Sequence, residues 1–197
     1  MELFHIHRSN GTDPLYKENS EFTVGNDYNY FTKFAFMSAP NEIYYSVQEE
    51  FLDLQNLTKY ENLLRMSTKD IVQLSNDLQT YIHNQMVNTR EFVLEQARLN
   101  IDKNLPSRQR CIWLTDESSL DYWIHNIHGI NLKVFRVEVD KEPFKSLDSL
   151  LPDPKSPIEN MFITAEAYWK PDSELLKVDK SREYLYEGKI RIRERVK

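Results

Sequence analysis

Glycine is scarce here, with four residues in 197. That scarcity weighs against glycine-rich phosphate loops and against a glycine-dense repeat fold, and no period of 20–50 residues recurs. Neither a Gly-x-x-x-x-Gly-Lys loop nor Gly-x-Gly-x-x-Gly occurs, so the two commonest nucleotide fingerprints are missing. Gly-x-Ser-x-Gly is absent too, which removes the strained elbow of a serine hydrolase. One cysteine, Cys111, excludes an internal disulfide framework and fits a reducing compartment. Its place inside Arg110-Cys111-Ile112-Trp113-Leu114, a strand-like run, predicts a buried thiol rather than a nucleophile. Long hydrophobic runs are also lacking. Glu2, His5, His7 and Arg8 interrupt the first eight residues, so neither a signal peptide nor a membrane span is expected. The expected location is cytoplasmic, though a dedicated secretion machine would leave no mark.

Net charge is −6, which gives no global attraction to nucleic acid, although 25 Lys and Arg leave room for a local basic groove. The length predicts a single domain, 1–197. Aromatic residues are plentiful enough to fill its core.

Residues 2–8 read as a short strand, and 9–41 as an irregular loop region carrying Tyr28, Tyr30, Phe31 and Phe34. From 42 to 103 the pattern is mainly helical. Ser67-Thr68-Lys69-Asp70 offers a cap before Ile71, Leu74, Leu78 and Tyr81, and Asn88-Thr89-Arg90-Glu91 offers a second before Phe92, Val93 and Ala97. Two amphipathic helices follow from that reading. After Pro106 the expected elements are a strand at 110–114 and a short helix through Leu120, Trp123, Ile124 and Ile127, capped by Thr115 or Asp116. A strand at 132–139, a Pro-containing loop at 143–157, and elements at 165–169 and 184–192 complete the chain. The fold class is α+β, with 42–103 as a helical insertion.

His5 and His7 share one side of an extended strand, with Phe4, Ile6 and Arg8 opposite. This spacing suits a metal, and His125 and His128 add a second pair, but no cysteine or carboxylate set accompanies them. In the last strand Glu183, Leu185, Glu187, Lys189 and Arg191 share one face, and Tyr184, Tyr186, Gly188, Ile190 and Ile192 the other. The aromatic and β-branched side reads as the core, leaving the glutamate side for a cleft or for water. Glu183 and Glu187 would stand about 13 Å apart, too far for a glycosidase-type pair. Ser107 and Arg108 bring a hydroxyl and a guanidinium to a strand entrance, a combination that suits a sugar and an anion.

In order, Phe4-His5-Ile6-His7-Arg8, Pro106 to Leu114, Leu132 to Val139, Ala167-Tyr168-Trp169 and Glu183 to Gly188 resemble a poorly characterised bacterial branch of the ADP-ribosyltransferase superfamily. The resemblance covers the first eight residues and most of 106–192. It implies a split, strongly curved β-sheet that clamps NAD and transfers its ADP-ribose, releasing nicotinamide. It also implies roles for particular residues. His5, with His7 as substitute, would hold ribose; Ser107 would line the nicotinamide pocket; Tyr168 or Trp169 would stack on a ring. Glu183, with Glu187 as substitute, would contact the nicotinamide-ribose hydroxyl and stabilise the positive charge developing on that sugar. Arg8 or Arg108 would pair with the pyrophosphate. Two features of the family are lacking: the Ser-Thr-Ser triplet, and a Glu-x-Glu or Gln-x-Glu pair at the final glutamate site, where Ser181 precedes Glu183 and Leu185 precedes Glu187. Arginine-directed transfer is therefore not implied, and the acceptor is left open among protein, nucleic acid, small molecule and water. The competing expectations are a noncatalytic nucleotide- or protein-binding module on the same fold, an NAD glycohydrolase, and a nuclease or other hydrolase using His5 or His7.

Overall fold

A computed structural model describes residues 2–8, 15–37, 45–47, 50–52, 59, 63–127 and 131–197. His128 lies outside the described residues, as does the side chain of Phe34. The chain divides into two compact units, one formed by 1–32 with 90–197 and the other by 33–89. The strands and helices are β1 (Leu3–Arg8), β2 (Glu21–Val24), α1 (Tyr30–Met37), β3 (Tyr45–Val47), β4 (Glu50–Leu52), α2 (Thr68–Ile101), β5 (Ile112–Asp116), α3 (Glu117–Asn126), β6 (Leu132–Val139), β7 (Phe144–Leu147), α4 (Ile158–Trp169), α5 (Leu175–Val178), β8 (Arg182–Tyr186) and β9 (Gly188–Arg195). The architecture is α+β: a seven-stranded antiparallel sheet and a long helix.

Four sequence expectations need correction. The loop at 9–41 contains β2 and α1. The loop at 143–157 contains β7, whose Ser146 and Leu147 are buried in the ladder. The element at 165–169 is the end of a helix that starts just after Pro157. The two helices of the middle region are one, α2, of 34 residues. Its first cap forms as expected: Asp70 N–H donates to Ser67 Oγ, and Ser67 N–H donates back to the Asp70 carboxylate. The second cap does not form, because no Gly or Pro breaks the helix there and Thr89 Oγ1 donates to the Gln85 carbonyl instead. Residues 68–89 of α2 belong to the second unit, with the β3–β4 hairpin, and 90–101 to the first.

The strand order in the first unit is β2-β9-β6-β1-β5-β8-β7. Strands β8 and β9 are separated only by Glu187 in sequence, yet β6, β1 and β5 lie between them in the ladder. In a flat sheet they would stand about 19 Å apart. Two Cα steps reach about 7 Å at most. The sheet therefore curves strongly back on itself, with the run Arg182–Arg195 parting at Glu187–Gly188 to feed both sides. Gly188 (φ 145°) makes the parting possible: a Cβ there would lie 2.5 Å from Tyr186 Oη.

This curvature gives the sheet two unlike faces. The inner face buries Leu3, Ile112, Leu114, Phe135, Val137, Tyr184, Tyr186, Ile190 and Ile192 as one cluster drawn from five strands. The outer face is roofed by helices, with Val93, Leu94 and Ala97 of α2 and Met161, Ala165, Tyr168 and Trp169 of α4 packed on Leu185 and Cys111.

Candidate functional site

Strand pairing decides which candidate residues can meet. Phe4 pairs with Thr115, Trp113 with Leu185, and Ser146 with Glu183. Side chains alternate along a strand, so Phe4, Thr115, Trp113, Leu185 and Glu183 share the outer face. His5 falls on the inner face, together with Leu114 and Tyr184. The sheet itself separates His5 from Glu183.

On the outer face Glu183 does not line a cleft. It is 3% exposed, and its Oε1 accepts from Arg108 Nη1 at 2.6 Å and from the Tyr168 phenol. The same Nη1 donates to Tyr168 Oη at 2.5 Å, and Arg108 Nε donates to Glu91 Oε2 at 3.0 Å. Burial pushes the Glu183 carboxyl upward, with Arg108 and Tyr168 offsetting part of the effect. Burial also opposes the charge on Glu91, but Arg108 and Arg90 outweigh it and hold that carboxyl below the usual range. One guanidinium thus serves two buried carboxylates under α2 and α4, and its packing on the Tyr168 ring (5.0 Å) closes the cluster.

The roles that the resemblance implied for Glu183, Arg108, Ser107, Tyr168 and Trp169 are therefore not available in this arrangement. Arg108 is consumed by its three partners and is sealed from any pyrophosphate. Tyr168 and Trp169 are core residues, Trp169 donating through Nε1 to the Leu94 carbonyl, so neither presents a free ring face. Ser107 is buried and tethered, its Oγ donating to Glu95 Oε2 at 2.9 Å and its N–H to Glu187 Oε1 at 2.8 Å. Glu187 is half-buried at the parting of β8 and β9, against Gly25. Arg8 is exposed and shares the parity of Phe4 and Ile6, away from His5. Cys111 is buried as expected, and burial pushes its thiol up.

The inner face is built differently. His5 is 9% exposed. Its Nδ1 lies 3.0 Å from the Trp113 carbonyl, an acceptor, so Nδ1 carries the proton and Nε2 presents a lone pair. Burial, reinforced by His7 and only partly opposed by the Trp113 carbonyl, lowers its pKa to about 4 and keeps the ring neutral at physiological pH. Nε2 is buried and has no hydrogen-bond partner. Buried polar atoms are satisfied in the great majority of cases, so this one calls for an explanation. Tyr16 stacks on both histidines, at 3.9 Å between centroids for His7 and 5.1 Å for His5, each tilted by 19°. Phe22 and Phe135 buttress Tyr16 from the sheet. A neutral imidazole acceptor beside a stacked aromatic ring is suited to a hydroxyl-bearing, flat-ringed ligand.

Sequence reasoning missed Tyr16, because it lies in an aperiodic stretch with no pattern to single it out. It also missed the polar knot beside the core, in which Asp116 accepts from Arg182 Nε (2.7 Å) and Tyr184 Oη (2.8 Å) while capping α3 through Ser119 N–H. The Asp116 carboxyl is held well below the usual range: burial opposes this, and Arg182, Ser118 and Tyr184 outweigh it. Among the described residues no group of three or more His, Cys, Asp and Glu is arranged to hold a metal ion. Among the same residues no helix is long and apolar enough to cross a membrane.

A family model described as protein of unknown function (DUF2441) matches residues 3–197. The chain belongs to that family. The match takes in both β1, with its histidines, and the run Arg182–Arg195 that parts around Glu187, so the two faces described above fall within the family domain. No curated protein matches the chain.

Proposed function

We propose that this DUF2441 protein binds NAD on the inner face of its sheet and transfers the ADP-ribose to an acceptor. The observation that carries the reading is the buried, neutral, unpartnered Nε2 of His5 beneath Tyr16. A ribose hydroxyl donating to Nε2 would satisfy it, and a nicotinamide or adenine ring would find an aromatic neighbour in Tyr16. The curved sheet parted at Glu187–Gly188 supports the same reading, as does the order of segments that resembles ADP-ribosyltransferases.

In the reaction, the bond between nicotinamide and ribose breaks and its electron pair leaves with nicotinamide. The positive charge left on the ribose is met by the acceptor's lone pair, and the acceptor gives up its proton to solvent as the new bond forms; with water as acceptor the net result is hydrolysis. A carboxylate near the sugar stabilises that charge. Of the two glutamates, Glu187 takes this role in the proposal, because Glu183 is buried under Arg108 and Tyr168, whereas Glu187, which accepts from the Ser107 N–H, is only half-buried at the parting of β8 and β9. Nicotinamide release from NAD by the full chain tests it. The expected result is release by the wild type and at least a tenfold loss in Glu187→Gln with the fold intact. Undiminished release in that variant removes Glu187 from the chemistry.

One observation favours a second reading, a nucleotide-binding module without transfer: the glutamate at the family-like position is locked by Arg108 and Tyr168. That reading expects saturable NAD binding with no nicotinamide released, so the same assay run beside a binding titration separates the two.

A further inference from the structure

A dinucleotide on the His5 face brings a diphosphate with it, and a chain of net charge −6 must supply local cations to hold that anion. Neither arginine named from the sequence can do so, since Arg8 is on the other face and Arg108 is buried between Glu91 and Glu183. The register of β1, β6 and β9 supplies two others. His7 pairs with Lys133, and His5 pairs with Phe135, which pairs in turn with Arg195. Partners in a ladder share a face, so Lys133 and Arg195 stand on the histidine side, one and two strands from β1, or about 5 and 10 Å. A register shift between Arg136 and Val137 is what turns Arg195 inward. Lys189 and Arg191, N-terminal to the shift, keep to the outer face and meet Glu21, and Arg193 meets Glu138 there. Lys133 is half-buried and Arg195 exposed, as expected for a rim. The Arg195 backbone N–H donates to Oε1 of the exposed Glu18 at 3.5 Å, and Arg195 Nε donates to the Lys197 carbonyl at 3.0 Å.

We propose that Lys133 and Arg195 form an anion-binding rim beside His5 and His7 and hold the diphosphate of the bound dinucleotide, an assignment that rests on the NAD reading. Charge-assisted contacts to phosphate are strong enough for each cation to change affinity about tenfold.

The test titrates the full chain with NAD, ADP and nicotinamide riboside, which has the ribose and ring but no phosphate. Four proteins are compared: wild type, Lys133→Gln/Arg195→Gln, His5→Gln, and Arg193→Gln as an outer-face control. The rim predicts a loss of about a hundredfold in ADP affinity in the double variant. It predicts unchanged nicotinamide riboside affinity in that variant and wild-type behaviour in Arg193→Gln. If NAD binds, and binds more weakly to His5→Gln, while ADP binds the double variant as well as wild type, the rim is overturned and the NAD reading stands. An equal loss in Arg193→Gln also overturns the rim, because it would show a general charge effect. Failure of the wild type to bind either NAD or ADP overturns both. Circular dichroism of each protein checks that an affinity loss is not unfolding, and two single variants are added to the four: Lys133→Glu, which keeps a long polar side chain, must weaken ADP more than Lys133→Gln does.

Discussion

The two faces of the curved sheet hold polar groups under very different terms. On the outer face every charge in the Arg108 cluster is answered: Glu91, Glu183 and Tyr168 surround one guanidinium, and helices seal them. On the inner face His5 is buried almost as deeply, yet one of its nitrogens has no partner. A satisfied buried network specifies and stiffens a core, whereas an unsatisfied acceptor beside a stacked ring leaves an interaction for something else to make. Perturbed titration alone would have picked out both places. Hydrogen-bond satisfaction distinguishes them, and on that difference rests the proposal that Glu183 serves architecture and His5 binding.

The largest effect should come from breaking the outer cluster. Arg108→Met strands Glu91 and Glu183 as buried carboxylates without their cation, and should lower stability by about 3–5 kcal/mol in chemical denaturation. A loss below about 1 kcal/mol would mean that the cluster is not closed as described, and the contrast between the faces would fail.

Next in size is a pH effect from the inner face. The His5 imidazole takes up a proton near its ordinary 6.5 in the unfolded chain but only near 4 in the folded one. Its contribution is full above about pH 6.5 and is lost as pH falls toward 4, by about 3 kcal/mol in all. The raised carboxyl of Glu183 acts in the opposite sense: its contribution is present below the ordinary carboxylate value and is lost as pH rises through the folded value. Comparing stability–pH curves of wild type and His5→Gln isolates the histidine, and identical slopes between pH 6.5 and 4.5 would contradict the buried neutral ring.

The smallest of the three sharpens the place where the sheet parts. Gly188→Ala puts a methyl against Tyr186 Oη in a backbone conformation that side chains rarely adopt, and should cost about 1–3 kcal/mol. A neutral result would mean that β8 and β9 part more loosely than the strand order requires.

Much of the fold was legible from local signals. The Ser67–Asp70 cap, the Asp116 cap, β1, β5 and β6 follow from capping chemistry and from alternation along the strands. The length of α2 was not, because Asn88-Thr89 is a cap only where the helix has reason to stop. The site was legible in half. His5 and His7 sharing a face is a property of one strand, and it holds. The side on which Glu183 lies relative to His5 depends on pairings through β5 and β8 and on helices that cover the outer face, none of which is encoded near residue 183. Reading Glu183, Leu185 and Glu187 as an open polar face also assumed that only one side of the strand is buried, whereas β8 is buried on both. Tyr16 and the inward turn of Arg195 are tertiary facts of the same kind.

Observing the His5 imidazole by ¹⁵N NMR while NAD is added to the full chain addresses the inner-face assignment most directly. The structure-based expectation is a saturable shift of the Nε2 resonance as it gains a hydrogen-bond donor, with Nδ1 still tied to the Trp113 carbonyl and the Arg108 guanidinium resonances unmoved. An Nε2 resonance that stays in place at saturating NAD, or one that holds still while the Arg108 signals move, would contradict it.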